Sequence, residues 1–291
     1  MPCGAINLKD KVAVVTGGGS GINLAFAKLA FEQGTKLVIA DLKLTDEGQR
    51  FVDTVSSDRV VFAKCDVQKR SELENLITVS REKFGIIPEV YIAGAGVFEP
   101  PWSSWWDDTE EDNYAQFQIN TLHPLKLARI ATRVLLAEKQ KGIVLIVASL
   151  AEYMGAFAAP LYCASKHACI GFVRSMAELD RLANIKITAV APGMVQTPMF
   201  TADPEQAKKW GYDPTVAVTA EIVAEAMIDL VVNEHPGGTC IEVSRSGTRP
   251  LGVWNIEPLT SVGASVPQDV VDHNYAHLTA IMNKEREAAK L

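Results

Sequence analysis

The 291-residue chain is 48% apolar and 22% charged, with a formal charge of -7. That composition excludes a largely disordered chain. The acidic balance, with no dense Lys/Arg run, argues against a nucleic-acid partner, which needs a basic face to displace counterions.

Short β-branched runs alternate with longer amphipathic stretches. Lys11–Thr16 predicts a buried strand and Gly21–Gln33 a helix closed by Gly34. Lys36–Ala40 is a second strand, followed by a helix over about Thr45–Ser56. Val60–Lys64 is a third strand, and Ser71–Phe84 a helix that Ser71 caps, with Glu74 three residues on. After the strand Glu89–Ala93 comes a helix over about Asp112–Leu136, then the strand Gly142–Ala148. A helix over about Ala159–Leu182, the strand Lys186–Val190, a helix over about Thr219–Val232 and a strand near Thr239–Val243 follow. From about Arg249 no sheet-like pattern is present, and Asp269–Lys290 predicts a surface helix; packing over the pocket or against a second subunit is its other reading.

Apolar strands that alternate with helices indicate an α/β fold, a doubly wound, mostly parallel sheet of Rossmann type in three αβα layers. No repeat or linker splits the chain. Residues 1–248 are expected to form a dinucleotide-binding catalytic domain, with 249–291 an extension of the same domain. No apolar run reaches the ~20 residues of a membrane span, and the start MPCGAINLKDK lacks a secretory apolar stretch. The five cysteines have no CxxC or zinc-like spacing, which fits a reduced, cytoplasmic protein.

Strand one runs directly into Thr16-Gly17-Gly18-Gly19-Ser20-Gly21-Ile22-Asn23 at a helix start. Glycines let the backbone approach a pyrophosphate, and the helix N-terminus supplies N–H donors and positive dipole. Such a turn alone is weak evidence, but Asp41 closes the second strand at the distance expected of a ribose-binding acid. A carboxylate there accepts both ribose hydroxyls and repels a 2′-phosphate, so NAD is favoured over NADP; an N-cap or loop Asp is the other reading.

Tyr162-Cys163-Ala164-Ser165-Lys166 places a phenol and an ammonium on one helix face. A cation one turn away favours the phenolate and makes a tyrosine a usable base. Ser149 ends the preceding strand, where its hydroxyl can meet a reacting oxygen. Alone, a Tyr/Lys pair reads as surface; with the turn, Asp41 and Ser149 it reads as a site.

In these pieces, and in Cys65-Asp66-Val67, Gly94-Ala95-Gly96, Asn120 and Pro192-Gly193-Met194-Val195-Gln196-Thr197, the chain resembles the short-chain dehydrogenases/reductases from Leu8 to about Val243. The resemblance implies Tyr162 as acid/base, Ser149 orienting substrate oxygen, and Lys166 holding the nicotinamide ribose and lowering the tyrosine pKa. It further implies Asn120 holding a water that links Lys166 to solvent, Asp66 with Val67 at the adenine, and Val195 and Thr197 at the carboxamide. Gly17, Gly19, Ser20, Gly21, Ile22, Gly94 and Pro192 would complete the cofactor site. Asn120 as a helix-interior amide and Thr197 as an N-cap before Pro198 are the other readings. Narrower likeness is to 15-hydroxyprostaglandin dehydrogenase-like members and fungal secondary-metabolite enzymes.

Two departures stand out. Asn23 replaces the family's third glycine, which predicts looser packing of the first helix on the sheet. Ala93-Gly94-Ala95-Gly96 replaces NNAG and loses asparagines that brace the sheet. Trp102, Met194, Met199, Phe200 and Trp210 are candidate walls of an apolar substrate pocket, since loops at strand C-termini form the crevice of such sheets. Trp102, with Trp105 and Trp106, reads equally as packing at a helix start or an interface. His123 and His167 lack ligand partners at metal spacing, so both read as ordinary helix residues and no metal is expected. The resemblance implies a homodimer or homotetramer through the helices at 112–136 and 159–182, whose apolar stretches include Ala164–Val173. The leading expectation is an NAD-dependent oxidoreductase acting on a hydrophobic secondary alcohol or ketone. Non-redox chemistry on the same fold (a cyclase, isomerase or dehydratase) and a non-catalytic dinucleotide-binding protein are the alternatives.

Overall fold

The computed structural model describes residues 2–55, 58–252 and 268–288. β1 (Val12–Thr16) is buried along its whole length. Its two neighbours, β2 (Lys36–Asp41) and β4 (Val90–Ala93), both run parallel to it, with Thr16 opposite Ala40 on one side and Ala93 on the other. β3 (Val60–Lys64) extends the sheet beyond β2, while β5 (Gly142–Val147), β6 (Ile185–Pro192) and β9 (Cys240–Ser244) extend it beyond β4. The order β3-β2-β1-β4-β5-β6-β9 is parallel throughout, and β10 (Gly247–Pro250) closes the edge antiparallel to β9. This is the expected Rossmann-like α/β sheet.

Alternation along each strand assigns side chains to two faces. Val12 and Val14 point to the side covered by α3 (Arg70–Phe84), α5 (His123–Ala137) and α6 (Pro160–Ser175). Ala13 and Val15 point to the side of α1 (Gly21–Glu32) and α10 (Ala220–Val232). Covering both faces is what requires strands apolar at every position. β7 (Val195–Gln196) and β8 (Val218–Thr219) form a separate two-stranded patch that ties the loop after β6 to the start of α10.

Several boundaries differ from expectation. α2 (Asp46–Thr54) starts on a Thr45 cap as read, and its predicted end at Ser56 lies outside the described residues. α3 starts at Arg70 without a side-chain cap, because Glu72 turns back to accept the Asp66 N–H at 2.6 Å and Glu74 pairs with Arg70; the Ser71 capping box does not form. The stretch read as one helix over Asp112–Leu136 begins at α4 (Ala115–Phe117) and widens into a π turn at Gln118–Leu122 before α5. The predicted helix Ala159–Leu182 breaks after Ser175 and resumes as α7 (Glu178–Ala183). The break receives the turn before β9, where a Cβ on Gly238 would lie 2.8 Å from Ala177 Cβ.

The tail also departs from its reading. Arg249 and Pro250 belong to β10, and Arg249 pairs with Glu242 across the hairpin at 2.8 Å. α11 (Gln268–Ala288) is the predicted terminal helix, with its expected end at Lys290 outside the described residues. It lies on α5, where Glu285 pairs with Arg129, and Met282 joins the core. The apolar run Ala164–Val173 turns mostly inward: Cys169, Ile170 and Val173 belong to the chain's own core. Among the described residues no helix is long and apolar enough to cross a membrane.

His123 is not an ordinary helix residue. It is 1% exposed, its Nε2 lies 3.0 Å from Thr16 Oγ1, and its Nδ1 lies 3.1 Å from the Ile119 carbonyl. Burial pushes its pKa down to about 4, from 6.5. Below pH 6.5 the unfolded chain takes up a proton that the folded chain refuses, so the ring's contribution is intact above pH 6.5 and is lost as pH falls toward 4. Denaturant titrations between these limits are expected to lose up to about 3 kcal/mol of stability, and His123→Asn to flatten that slope.

Candidate active site

A cavity of about 750 Å³ runs along the C-terminal ends of the parallel strands, on both sides of the point where β1 meets β4. Here helices leave toward opposite faces of the sheet, which opens a crevice. One half is lined by Gly17, Ser20, Gly21, Ile22, Asp41, Asp66, Val67 and Gly94, the other by Ser149, Tyr162, Lys166, Pro192, Met194, Val195 and Thr197.

The glycine turn is shaped by close contact. Gly17 has φ +67, and a Cβ on it would lie 2.7 Å from Ala95 Cα, so this turn presses against the backbone that follows β4. Gly21, at φ +54, faces Thr197, whose Cγ2 would be 3.2 Å from an added Cβ. Ser20 is extended, and α1 begins with no side-chain cap and no acid in its first turn. Among the described residues no side chain caps its first N–H groups, and residues at this positive dipole end line the cavity.

Gly19 is not among the residues that wall the cavity. It faces back: its N–H donates to Asp41 Oδ2 at 2.9 Å, and its carbonyl accepts from the Thr45 hydroxyl at 2.7 Å. Asp41 Oδ1 accepts the Leu42 N–H at 2.7 Å. Gly19 thus locks the carboxylate onto the turn, and Asp41 remains at the cavity wall with lone pairs to spare.

Asn23 corrects both expectations of looseness. The side chain is 7% exposed, and its Nδ2 donates to the Gly94 carbonyl at 3.0 Å and the Gly17 carbonyl at 3.3 Å. A Cβ on Gly94 would lie 2.1 Å from Asn23 Oδ1. The amide missing from the β4 end is supplied from α1, and the glycine at 94 makes room for it. Thr16 Oγ1 adds a second brace by accepting the Gly94 N–H at 3.0 Å.

Ser149 accepts the Ala151 N–H at 3.2 Å and donates to the Pro192 carbonyl at 3.4 Å, which holds it between the ends of β5 and β6. Lys166 is 5% exposed; its Nζ donates to the Val147 carbonyl at 2.8 Å and lies 5.5 Å from the Tyr162 ring centre. Asn120 sits in the π turn, and both ends of its amide engage Val97: Oδ1 accepts the N–H at 2.9 Å and Nδ2 donates to the carbonyl at 2.8 Å. Its side chain clamps the strap after β4.

Met194, Met199, Phe200 and Trp210 line the cavity, and Trp102 does not. The chain turns at Pro100–Ser103, burying Ser103, whose Oγ accepts the Gln116 N–H, and leaving Trp102 52% exposed outside. In the segment after β4 the aromatic residue that lines the cavity is Phe98, two positions after Gly96. Its ring lies 4.6 Å from that of Tyr162, edge-on, 4.6 Å from Trp210 and 5.5 Å from Phe200. The signal for it was position alone: it lies five residues beyond the end of β4, in the segment that leaves the strand's C-terminus.

The sequence profile of short chain dehydrogenases matches residues 11–208. Short-chain dehydrogenase reductase 3a of Arabidopsis thaliana is 30% identical over 79% of this chain and 91% of its own length. Momilactone A synthase of Oryza sativa subsp. japonica is 33% identical over 68% of this chain and 71% of its own. The (+)-borneol dehydrogenase 2 of Salvia officinalis is 29% identical over 70% of this chain and 71% of its own. A crystal structure of a short chain dehydrogenase/reductase from Burkholderia phymatum, in complex with NAD, has the same fold, with a TM-score of 0.67, 23% identity, and 78% of this chain and 87% of that chain covered. The fold and crevice define a Rossmann-like oxidoreductase acting on CH–OH groups. The chain belongs to the short-chain dehydrogenase/reductase family.

The Asn23–Gly94 fit gives a double-mutant cycle. Gly94→Asn alone is expected to lower the melting temperature strongly, because the new Cβ and the existing amide claim one space. Asn23→Gly with Gly94→Asn should recover most of it, with a coupling above about 1 kcal/mol in thermal unfolding.

Proposed function

We propose that the protein is an NAD-dependent dehydrogenase that interconverts a hydrophobic secondary alcohol and its ketone. The observation that carries this is the buried Lys166 ammonium beside the Tyr162 ring, in a cavity that continues to the glycine turn and Asp41. The turn fits a dinucleotide diphosphate: its glycines have no room for side chains, and the helix end behind it offers uncommitted N–H groups. When bound, the nicotinamide supplies the hydride acceptor for alcohol oxidation, or the donor for ketone reduction.

Tyr162 takes the hydroxyl proton of the alcohol, or returns it to the ketone oxygen. Positive charge on Lys166 stabilises the negative phenol oxygen, and Lys166 also holds the nicotinamide ribose. Ser149 donates to the substrate oxygen and fixes its direction. Asp41 accepts the adenosine ribose hydroxyls and repels a 2′-phosphate, which favours NAD over NADP. Asp66 and Val67 would hold the adenine, and Val195 and Thr197 the carboxamide. Phe98, Met199, Phe200 and Trp210 form an apolar wall over the substrate carbon skeleton and keep water away. The relatives named for (+)-borneol and momilactone A support an apolar substrate. Five free buried cysteines support residence in the reducing cytoplasm.

Tyr162→Phe removes only the hydroxyl. It is expected to lower kcat by about 10²–10⁴-fold in oxidation of hydrophobic secondary alcohols, while calorimetry finds NAD binding unchanged. Turnover near the wild-type value would overturn the acid/base role. Asp41→Ala should move the ratio of kcat/KM for NAD over NADP toward NADP by at least tenfold; an unchanged ratio would remove Asp41 from cofactor choice.

A further inference from the structure

Tyr162 is the third residue of α6, and that helix begins without a cap of its own, since Ala159 offers no side-chain acceptor. The N–H of Tyr162 donates instead to Oε1 of Glu99, at 2.9 Å, across 63 positions of sequence. Glu99 is 3% exposed and has φ +36, a left-handed backbone that a side-chain-bearing residue rarely adopts. A buried carboxylate on strained backbone persists only where its surroundings over-determine it. They do so here. Gln116 Nε2 donates to the same Oε1 at 3.1 Å, and Gln116 Oε1 accepts the Glu99 N–H at 2.6 Å. The Gln116 N–H is held in turn by Ser103 Oγ at 2.9 Å. Negative charge at a helix start is also where the helix dipole favours it.

The two preceding residues complete a strap. Val97 is clamped at its N–H and its carbonyl by Asn120, and Phe98 lies edge-on to the phenol ring. Three consecutive residues therefore engage the catalytic machinery at Asn120, at the ring of Tyr162 and at its backbone. Nothing in the helical sequence of α6 requires this: a serine or aspartate at position 159 would cap the helix locally. The strap couples the helix start to the end of β4.

We propose that Glu99 is a positioning residue for the proton transfer. It fixes the start of α6, and hence the depth at which the Tyr162 hydroxyl enters the cavity, through one charge-assisted bond to that residue's own N–H. This rests on the acid/base reading of Tyr162. Glu99 is absent from the wall of the main cavity and lies behind it, beside Trp106 and Phe157, so its influence reaches the site through Tyr162. A displacement of about 1 Å at a reacting group can cost about 10²-fold in rate, so a distant cap is enough to set turnover.

The test compares Glu99→Ala with Glu99→Gln, which keeps an acceptor oxygen for the Tyr162 N–H. Steady-state oxidation of cyclohexanol and 1-phenylethanol at saturating NAD is read beside calorimetric NAD binding, with Tyr162→Phe as control. Glu99→Ala is expected to lower kcat about 10- to 100-fold with KM and NAD affinity within about twofold, and Glu99→Gln to stay within about threefold of wild type. Hydrogen exchange supplies a readout independent of substrate. The peptide over Tyr162 should exchange faster in Glu99→Ala than in Glu99→Gln, while peptides over α1 stay unchanged. Full kcat in Glu99→Ala, equal loss in both variants, or loss of NAD affinity in step with kcat would each overturn the proposal. If Glu99→Ala does not fold, Gln116→Ala, which removes the second donor to the same oxygen, is read by the same criteria. An active Tyr162→Phe sinks the acid/base reading itself. An inactive Tyr162→Phe beside a fully active Glu99→Ala sinks only the role of Glu99.

Discussion

The close approach of the first glycine turn to the backbone leaving β4 is the constraint on which the rest depends. Those two strands are parallel neighbours whose chains depart toward opposite faces, so their ends must pass each other within van der Waals contact before the crevice can open. Gly17 permits the approach, with no Cβ to strike Ala95, and Asn23 holds the gap by bonding the carbonyls of both Gly17 and Gly94. Around this seam everything used for chemistry is arranged: Asp41 locked to Gly19, Ser149 at the end of β5, and Tyr162 held by the strap that continues from β4.

Polar side chains from helices do much of the bracing. Asn23, His123 and Asn120 each reach from a helix into the loops or strand ends beneath the site, and each is nearly or fully buried. A buried amide or imidazole is costly unless bonded, and where bonded it admits few alternative geometries. The seam is therefore rigid for the same reason that it is intolerant of substitution. Loss of the usual asparagines at the β4 end is offset by a different donor set, so an apparent gap in a motif is filled from another element.

The sheet was legible because its strands are short β-branched runs buried on both faces, and such runs leave little choice of structure. Asp41, Ser149, Tyr162 and Lys166 were legible because each stands at a strand end or one helical turn from its partner, positions that spacing defines. What sequence could not convey was long-range or fine in scale. At the break between α6 and α7 the chain meets Gly238, remote in sequence, whose lack of a Cβ lets the turn before β9 approach Ala177. The π turn at Gln118–Leu122 leaves the apolar pattern on both sides intact, so periodicity runs straight through it. Trp102 was read as a pocket candidate from its place after β4, yet one tight turn at Pro100–Ser103 leaves its ring outside. The partnership of Glu99 with Tyr162 spans separate elements and leaves no local trace.

The last helix has a different standing. α11 meets the body through the Arg129–Glu285 pair, a bond from Arg286 to the Leu182 carbonyl, and the seat of Met282. One buried methionine, one partly solvated ion pair and one bond to a carbonyl stabilise far less than the core of α5 on which they rest. Sub-global opening will begin there, well below the free energy of global unfolding. A protease given the native protein should trim this end first, and an affinity tag fused to it would sit on the element least able to resist being pulled away.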